Sequence, residues 1–383
     1  MKAIHTFTLF SGPYNYMNGQ YKYLSDNGIE IHLVCSYDSK AQKFCVDNGI
    51  KYHPIEFTRK ITPIRDLVSF CKLFSYMCNQ KFDVVVGNMT KDSLLLMIAA
   101  NLLGIKNRIY YRHGLLHTTM KGLKRWCFLM EERLVSRLAT RVVNMSPSVS
   151  AIAIKEHLNS PDVQIMFNKG TCSGIDAKSY FNPENIKKDV QRNIRNKYSI
   201  NETDLVYGFC GRFCKDKGLE DLVYGFKKFQ ENNPDIQSKL LLIGELDTRD
   251  AIDNYIVSEI DNCKDIIKTG WVDKSAIRDF YSIIDVFILP SYREGFPTVT
   301  LEASSMGLPV LTTRVHGCID SIVENETGFF VDHAPISIAE GMQKFINEKV
   351  RREMGENGRE WVLKNFDHTV VWPEVLKMYN GLK

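Results

Sequence analysis

The chain has 383 residues and a mass of 44.0 kDa, which excludes a single small binding module and suggests two domains of ordinary size. Hydrophobic residues make up 44% and charged residues 25% of the chain, so it can bury a full core and is not a disordered polymer. Its 49 Lys and Arg residues against 45 Asp and Glu give a formal charge of only +4. A protein that coats nucleic acid is therefore not expected, and any anionic partner must meet a local basic patch.

Short β-rich runs alternate with helix-length amphipathic stretches in the first half of the chain, a pattern typical of βα units wound into a parallel sheet. Helices are predicted, for example, over 92–103 and 121–138. The predicted strands cover residues 2–9, 29–35, 83–87, 108–111, 141–145 and 163–167.

A second series of the same kind follows. Its predicted strands cover residues 205–210, 239–243, 266–269, 285–289, 309–312 and 328–331, and its helices lie near 219–231, 274–284 and 298–306. The fold class predicted from both series is α/β, with two Rossmann-like, doubly wound parallel sheets facing a central cleft at the carboxyl ends of their strands.

The boundary between the two series is predicted in the polar, charged segment 174–201, which we interpret as a linker and the entry to the second domain. The predicted domains cover 1–175 and 176–365. Residues 366–383 are predicted to form a terminal helix that docks back on the first domain, because its apolar residues need cover.

The ten cysteines show no CxxC pair, so they indicate thiols in a reducing compartment. Cys210 and Cys214 lack the second pair that structural zinc needs, and the alternative of small apolar filler is favoured. The N-terminus has no sustained apolar region, and the longest apolar stretch is interrupted by Asn101 and Gly104. Neither a signal peptide nor a spanning helix is predicted, and the cytoplasm is the expected location.

Three common nucleotide signatures are absent from the sequence: GxGxxG, GxxxxGK[ST] and Asp-x-Asp. Their absence argues against a dinucleotide oxidoreductase, a P-loop NTPase and a transferase whose diphosphate is held by a metal on paired aspartates.

The segment 205–218 offers another way to bind phosphate. A predicted strand ends at Gly211 and a helix begins near Gly218, with Arg212 and Lys217 on the turn between them. Glycines let backbone approach a ligand, a helix N-terminus offers N–H groups, and two fixed cations can neutralise a diphosphate without a metal. A surface loop with solvated basic residues is the equally weighted alternative.

The segment 289–310 places Glu294 and Glu302 on either side of a helix start at which Pro297 suits the first position. Carboxylates in a cleft can accept hydrogen bonds from sugar hydroxyls, while amides at the helix start can hold phosphate oxygens. For Glu302 alone, compensation of the helix dipole is the better interpretation.

Together these segments resemble glycosyltransferase family 4, retaining enzymes with the two-domain GT-B fold. The resemblance covers the whole second half of the chain and rests on Gly211-Arg212 with Lys217-Gly218, Glu294-x7-Glu302, Gly307-x-Pro309-Val310, Thr269-Gly-Trp-Val272 and the stretch 321–331. Ser-Tyr-Arg-Glu-Gly at 291–295 and Gly-x3-Gly-Ile-Asp at 170–176 resemble the branch that assembles bacterial surface polysaccharides and lipid-linked oligosaccharides.

The resemblance implies roles for individual residues. Arg212 and Lys217 would bind the donor diphosphate, Glu294 the transferred sugar and Glu302 the ribose hydroxyls, with the second domain binding the nucleotide sugar and the first lying on the acceptor side. Further donor contacts would come from Gly12, Gly211, Val272, Phe296, Pro297, Thr298 and Val299. Gly12 stands in Ser-Gly-Pro, where the family has a pair of glycines.

The sequence Tyr-Arg-His-Gly at 111–114 resembles the family's histidine after a strand, which implies that His113 lies beside the donor sugar. A core or turn histidine is the plain alternative. A zinc site with His117 is not expected, because the glutamate of an HExxH helix is missing. The implied task of His113 is hydrogen bonding to the sugar or acceptor region rather than proton abstraction.

The implied function is a retaining hexosyltransferase that moves a hexose or N-acetylhexosamine from a nucleotide diphosphate sugar, with UDP preferred, to a glycan or lipid-linked acceptor in cell-surface polysaccharide assembly. No cofactor, metal or nucleic-acid partner is expected. The alternatives are a GT-B epimerase or hydrolase acting on nucleotide sugars, and a catalytically silent subunit that binds them.

A basic segment, 106–141, carries nine Lys and Arg residues against two Glu. On a helix beginning near Thr119, Lys121, Lys124, Arg125 and Phe128 would share a face, whereas Leu123, Met130 and Leu134 would point to the core. Such a face suits anionic lipid head groups on the inner side of the cell membrane. A solvated helix surface is the alternative.

Overall fold

The computed structural model describes residues 1–17, 19–60 and 62–382. It divides into two compact units, one formed by Met1–Gly174 with Thr369–Lys383 and the other by Ile175–His368. Each unit is built around one wholly parallel sheet flanked by helices, so the prediction of two doubly wound α/β domains is confirmed.

The sheet of the first unit has seven strands in the order β3-β2-β1-β4-β5-β6-β7. The strands are β1 (Lys2–Thr6), β2 (Glu30–Cys35), β3 (Lys51–Pro54), β4 (Val84–Gly87), β5 (Asn107–Arg112), β6 (Arg141–Asn144) and β7 (Gln164–Ile165). The sequence prediction missed β3, a four-residue edge strand that is polar, ends in proline and has no fully buried residue, because it lacks the apolar run by which inner parallel strands are recognised.

The helices of the first unit are α1 (Ser11–Tyr16), α2 (Gln20–Asp26), α3 (Ala41–Asp47), α4 (Pro63–Gln80), α5 (Thr90–Leu102), α6 (Gly122–Leu138) and α7 (Pro147–Lys155). Helix α6 begins at Gly122 rather than near Thr119, because Leu116–Thr119 forms a separate 3-10 turn. Helix α5 packs between α4 and α6. The core beneath them includes Val85, Leu96 and Val142, all fully buried.

The last helix of the chain, α15 (His368–Asn380), supplies the segment from Thr369 onward to the first unit. Its Tyr379 is fully buried, and the phenol lies 2.7 Å from Nε2 of His5 on β1. The Trp372 indole donates to the backbone oxygen of Ser173 at 2.6 Å. A segment that is distant in sequence therefore completes the core of the first unit.

The sheet of the second unit has six strands in the order β10-β9-β8-β11-β12-β13. These strands are β8 (Leu205–Cys210), β9 (Ser238–Ile243), β10 (Ile266–Gly270), β11 (Val286–Leu289), β12 (Val310–Thr313) and β13 (Gly328–Val331), each within one residue of its prediction at either end.

The helices of the second unit are α8 (Lys188–Lys197), α9 (Leu219–Asn232), α10 (Asn254–Asn262), α11 (Ile277–Tyr281), α12 (Thr298–Ser305), α13 (Pro335–Lys344) and α14 (Glu348–Asn365). Interpreting 174–201 as a linker is wrong for its second half. Helix α8 packs on α11, and the Gln191 amide donates to the backbone oxygen of Ser282 at 3.0 Å. The charged residues that suggested a linker form the outer surface of this helix.

In both sheets the chain reverses its direction of winding between two neighbouring strands, between β1 and β4 in the first and between β8 and β11 in the second. Segments that leave the carboxyl ends of such a strand pair diverge and open a crevice, which is the usual ligand site of an open parallel sheet. A ligand site is therefore expected at the carboxyl ends of β1 and β4 in the first unit and of β8 and β11 in the second.

Candidate functional site

The carboxyl ends of β8 and β11 position the main predicted site of the second unit. The chain leaves β8 at Cys210 and passes through a 3-10 turn, Lys215–Lys217, before Gly218 caps α9. From the end of β11 at Leu289, it passes through a loop that carries Glu294 to α12. Because β8 and β11 are neighbours, both loops leave the same edge of the sheet.

Gly218 allows these two loops to pack against each other. It has φ of 68°, a left-handed conformation that favours glycine, and a Cβ at this position would lie 2.0 Å from the backbone oxygen of Pro290. Next to this contact, the Tyr292 N–H donates to the backbone oxygen of Asp216 at 2.9 Å, and Arg293 pairs with the Asp216 carboxylate at 2.7 Å. The β11 loop is thus fixed on the turn that precedes α9.

Within these loops, Lys217 and Glu294 form an ion pair in which both side chains are largely buried. The Ser291 hydroxyl also donates to Oε1 of Glu294, at 2.9 Å. A partly buried pair is held more firmly than a surface pair because water screens it less. The structure therefore brings together two of the four residues predicted to be catalytic.

Arg212 points to a different partner, Asp247, with which it forms an ion pair at the end of β9. Asp247 is buried and also binds Arg249. Burial disfavours the Asp247 carboxylate, but hydrogen bonds from the Arg249 N–H and the Arg212 guanidinium hold its pKa below the usual value. Sequence reasoning missed Asp247 and Arg249, although the segment 247–253, with three aspartates and one arginine, is strongly charged and follows a predicted strand.

Glu302 lies in the second turn of α12, where Tyr281 donates a hydrogen bond to its Oε2 at 3.1 Å. Burial raises the pKa of Glu302, while the nearby Lys274 ammonium and the Tyr281 hydroxyl act in the opposite direction. Burial likewise lowers the pKa of Lys274. Because this carboxylate is buried and faces a lysine, compensation of the helix dipole does not account for its surroundings. No motif in the sequence pointed to Lys274.

The start of α12 presents backbone amides as expected, with one correction. Pro297 is the capping residue before the helix and not its first residue, and it has no N–H, so only Phe296, Thr298 and Val299 could donate an amide hydrogen bond to a ligand. The Phe296 side chain is buried against Phe366, with ring centroids 5.4 Å apart.

Gly211 and Val272 lie beyond the carboxyl ends of β8 and β10, which are separated in the sheet by β9. Gly211 continues β8, and its N–H donates to Ile243 at 2.9 Å. Val272 follows β10 by two residues and is half-buried beside the exposed indole of Trp271. Both residues lie at the carboxyl edge of the sheet. The resemblance implies that the diphosphate and the base bind at this edge.

The predicted residues of the first unit, Gly12 and His113, lie beyond the carboxyl ends of β1 and β5. His113 follows β5 directly, and its Nε2 is 3.3 Å from Oδ1 of Asn88. Burial lowers the pKa of His113 to about 4, so the imidazole is neutral near pH 7. Gly12 packs so closely on Phe7 that a Cβ would lie 2.4 Å from that ring.

A buried carboxyl group that sequence reasoning missed lies at the same edge. Asp92, near the start of α5, is fully buried and accepts hydrogen bonds from the hydroxyls of Thr6 and Thr8, both at 2.8 Å. Burial raises its pKa to about 6. Its contacts tie α5 to the end of β1, which is a structural role.

His117 pairs with Glu156, which also binds Arg125 at 2.6 Å. Across residues 1–17, 19–60 and 62–382, no three His, Cys, Asp or Glu side chains come together in a way that could hold a metal ion.

The basic segment contains α6, whose N-terminal turns expose apolar as well as charged side chains. Leu123 and Leu134 do not point to the core as predicted, since they are 76% and 45% exposed. The buried face is instead formed by Leu129, Glu132, Val135 and Ser136. Exposed Lys121 and Lys124 flank Leu123, and Trp126 is also exposed. No helix of the described ranges is long and apolar enough to cross a membrane.

Sequence comparison relates both units to known enzymes. The family described as Glycosyl transferases group 1 matches residues 190–361, and the family described as Glycosyl transferase 4-like matches residues 7–146. The chain is 30% identical over 381 residues to the capsular polysaccharide biosynthesis glycosyltransferase CapM of Staphylococcus aureus, covering 99% of this chain and 97% of that protein. It is 23% identical over 368 residues to the UDP-Gal:alpha-D-GlcNAc-diphosphoundecaprenol alpha-1,3-galactosyltransferase of Escherichia coli, covering 95% and 92%.

Among solved structures, Anabaena Alr3699/HepE in complex with UDP-glucose matches with a TM-score of 0.81 over 100% of both chains, at 15% sequence identity. A likeness at this identity concerns the fold, and the predicted GT-B fold is thereby confirmed.

Proposed function

Because the chain belongs to glycosyltransferase family 4, we propose that it moves a hexose or N-acetylhexosamine from a UDP-sugar, with retention of anomeric configuration, to a glycan or lipid-linked acceptor in bacterial surface-polysaccharide assembly. That it is a glycosyltransferase follows from the two matching families and from the full-length relative CapM. The choice of UDP and of a lipid-linked acceptor is supported by the name of the Escherichia coli relative, which contains both.

The observation that carries the proposal is the Lys217–Glu294 pair at the ends of β8 and β11. This is the edge at which an open parallel sheet binds its ligand. In the proposed complex, the Lys217 ammonium turns to the donor diphosphate and the Glu294 carboxylate accepts hydrogen bonds from the sugar. The ion pair keeps both groups in place until the donor arrives.

Arg212 supplies the second cation for the diphosphate. Its side chain is half exposed while paired with Asp247. When Arg212 turns to a phosphate, Asp247 keeps Arg249 as a counterion, so no buried charge is left unpaired. Glu302 binds the ribose hydroxyls, Val272 offers backbone to the base, and the Phe296, Thr298 and Val299 amides approach the sugar and phosphates. We propose that the two cations and the amides stabilise the negative charge that forms on the leaving diphosphate, without a metal.

The proposed reaction breaks the bond between the anomeric carbon and the diphosphate oxygen, and the acceptor oxygen attacks the same face of the sugar. Negative charge grows on the leaving diphosphate, where the fixed cations and amides lower the barrier most. The leaving phosphate oxygen takes the acceptor proton. His113 hydrogen-bonds to the sugar or acceptor region, since a neutral imidazole with a depressed pKa is a weak base.

We also propose that the first unit contacts an anionic membrane surface. In a parallel sheet the returning helices all begin at the carboxyl edge, and α5 packs between α4 and α6. The first turns of α4 expose Ile64 and Leu67. Those of α6 expose Leu123, between two lysines, and Trp126, which follows Lys124 and Arg125. Apolar and aromatic side chains among cations are typical of a surface that binds lipid head groups.

The donor is tested first by thermal shift of the purified protein with UDP, GDP, ADP and their common sugar conjugates, without added metal. A ligand that binds only the native state raises the melting temperature, and at a hundred times its Kd the gain is about 2.7 kcal/mol. We expect an increase of several degrees with UDP-sugars that disappears in Arg212→Ala. Arg249→Ala is the matched control, because it also pairs with Asp247 and is similarly exposed.

The other outcomes separate the alternatives. No shift with any nucleotide would favour a silent subunit with a closed or absent diphosphate site. A shift with rapid release of UDP but no transfer to any acceptor, or interconversion of the sugar, would favour a hydrolase or an epimerase.

Membrane contact is tested by flotation with vesicles of phosphatidylglycerol and phosphatidylcholine. Binding is expected to require the anionic lipid, to weaken with salt and to be lost in a Lys121→Glu, Lys124→Glu, Trp126→Ala variant. A Lys187→Glu, Lys188→Glu variant changes the charge equally on the second unit and should bind normally. Equal loss in both variants, or binding that ignores lipid charge, would contradict the proposal.

A further inference from the structure

Three neighbouring strand ends in the first unit place Thr6, Asn88 and His113 side by side. The strands β1, β4 and β5 are adjacent in that order. Thr6 is the last residue of β1, Asn88 follows β4 and His113 follows β5. Because the strands are parallel, their carboxyl ends lie at one edge of the sheet, and Asn88 occupies the central position.

Asn88 is buried and uses both ends of its amide. Its Nδ2 donates to the backbone oxygen of Thr6 at 3.1 Å, and its Oδ1 lies 3.3 Å from Nε2 of His113. A backbone oxygen can only accept, so it requires the nitrogen of the amide to face Thr6 and the oxygen to face His113. That oxygen also can only accept, so His113 must carry its proton on Nε2.

The proton on Nε2 determines what the other ring nitrogen can do. In a neutral imidazole, one nitrogen donates and the other accepts, so Nδ1 of His113 carries a lone pair. Among the described residues, Nδ1 makes no hydrogen bond. Tyr16 stacks on the ring, with centroids 5.0 Å apart and planes at 28°, and restricts its rotation.

We propose that Asn88 is a positioning residue for His113, fixing the tautomer in which Nε2 is protonated so that Nδ1 accepts a hydrogen bond from a sugar hydroxyl of the substrate. The inference rests on the proposed function, in which His113 meets the sugar or acceptor region. It adds which partner donates the hydrogen bond in that contact. His113 accepts a hydrogen bond from the hydroxyl through Nδ1 and does not donate to a phosphate oxygen.

The first test replaces His113 by two amides of different length. The amide of asparagine reaches the place of Nδ1, whereas the amide of glutamine reaches the place of Nε2. With UDP-glucose and UDP-N-acetylglucosamine as probes and UDP release as the readout, we expect His113→Asn to keep about tenfold more kcat/KM than His113→Gln, the worth of one hydrogen bond. The reverse order would overturn the proposal.

The second test asks whether Asn88 acts through His113. Asn88→Ala should lower kcat/KM about tenfold in the natural chain and have no further effect in a His113→Ala background, because residues that act as one unit are not additive. Asn144→Ala is the matched control, since Asn144 is also buried, ends the strand next to β5 and binds Arg112 at 2.9 Å. Its effect should be the same in both backgrounds, and melting temperatures report folding of every variant.

Failure of this inference differs from failure of the proposed function. If His113→Ala leaves turnover unchanged, the proposed contact of His113 with the substrate is wrong. If His113→Ala lowers turnover and Asn88→Ala lowers it equally again in that background, His113 keeps its contact but Asn88 is only structural.

A third measurement needs no turnover. Nitrogen NMR of the histidine-labelled protein at pH 7, with the His113 signal assigned by its loss in His113→Asn, should show a proton on Nε2 and none on Nδ1. A proton on Nδ1, alone or in an imidazolium, would overturn the proposal.

Discussion

Lys217 and Glu294 lie 77 residues apart in sequence, yet their side chains form an ion pair with exposures of only 18% and 12%. The contact exists because Gly218 has no side chain and lets the β11 loop approach the turn before α9. A glycine in the left-handed conformation thus determines how the charges at the carboxyl ends of β8 and β11 are arranged.

Removal of either partner should destabilise the ligand-free protein, because the other charge is left partly buried without a counterion. We expect Lys217→Met and Glu294→Gln each to lower the free energy of unfolding by about 1–3 kcal/mol. The double variant should lose less than the sum of the two losses. Urea unfolding of all four proteins measures this, and fully additive losses would mean that the pair contributes nothing.

Activity should separate Arg212 from Arg249, which share Asp247 as a partner. Arg212→Ala should lower turnover of the donor by at least about a hundredfold, because a cation on the leaving group acts mainly in the transition state. Arg249→Ala should change turnover by less than about threefold. Both variants should melt close to the natural chain, and equal activities would remove Arg212 from the diphosphate site.

As the pH is lowered, the affinity for UDP should begin to fall at a higher pH than it would if Glu302 had the usual pKa of a glutamate. In the proposed complex, Glu302 accepts hydrogen bonds from the ribose more strongly as a carboxylate than as a carboxylic acid. Burial raises its pKa, so the proton that weakens binding is taken up at a higher pH. Calorimetric titration of UDP between pH 5 and 8 tests this. In Glu302→Gln, affinity should be low and should keep only the pH dependence that comes from ionisation of the UDP phosphate itself.

Asp92 should make the first unit less stable as pH rises through about 4 to 6. Its usual pKa is 3.8 and burial raises it to about 6, so between these values the native state holds a proton that the unfolded chain has released, and stability falls with increasing pH. Asp92→Asn should remove this contribution. The difference in free energy of unfolding between Asp92→Asn and the natural chain should therefore grow in favour of the variant across this range, and a constant difference would contradict the raised pKa.

Substitution of the buried Tyr379 should measure how much the docking of α15 stabilises the protein, without disturbing the charged site of the second unit. Tyr379→Phe keeps the ring and removes the hydroxyl that lies 2.7 Å from His5, so we expect a loss of about 1 kcal/mol in the free energy of unfolding. UDP binding should be unchanged. Tyr37→Phe, in which the side chain is 71% exposed, serves as the control and should have no effect on stability.

The strand positions of the second unit could be predicted closely because most of its strands are short apolar runs bounded by turns. In the first unit, β3 was missed since its pairing with β2 depends on the sheet and not on its own polar sequence. Periodicity also failed at α6, where Leu123 and Leu134 fit an apolar stripe but face outward. An apolar stripe on a helix does not say whether protein or another surface covers it.

Motif spacing predicted which strand ends carry the site but not the partners of each group. The pairing of Arg212 with Asp247, and of Glu302 with Tyr281, depends on β9 and α11, which lie elsewhere in sequence. Asn88 was missed for the same reason, since only the order of β1, β4 and β5 places it beside His113. No spacing along the chain encodes these contacts.

The position of α15 has a consequence for synthesis on the ribosome. Tyr379 is translated 374 residues after its partner His5. About 200 of these residues follow Gly174, because the entire second unit lies between Gly174 and the rest of the first unit. At about 5–20 residues per second, this delay is on the order of 10–40 s. During that time the nascent first unit lacks the helix that buries Tyr379 beside His5. The apolar surface that this helix later covers stays exposed, and such surface is prone to aggregation until the last residues are made.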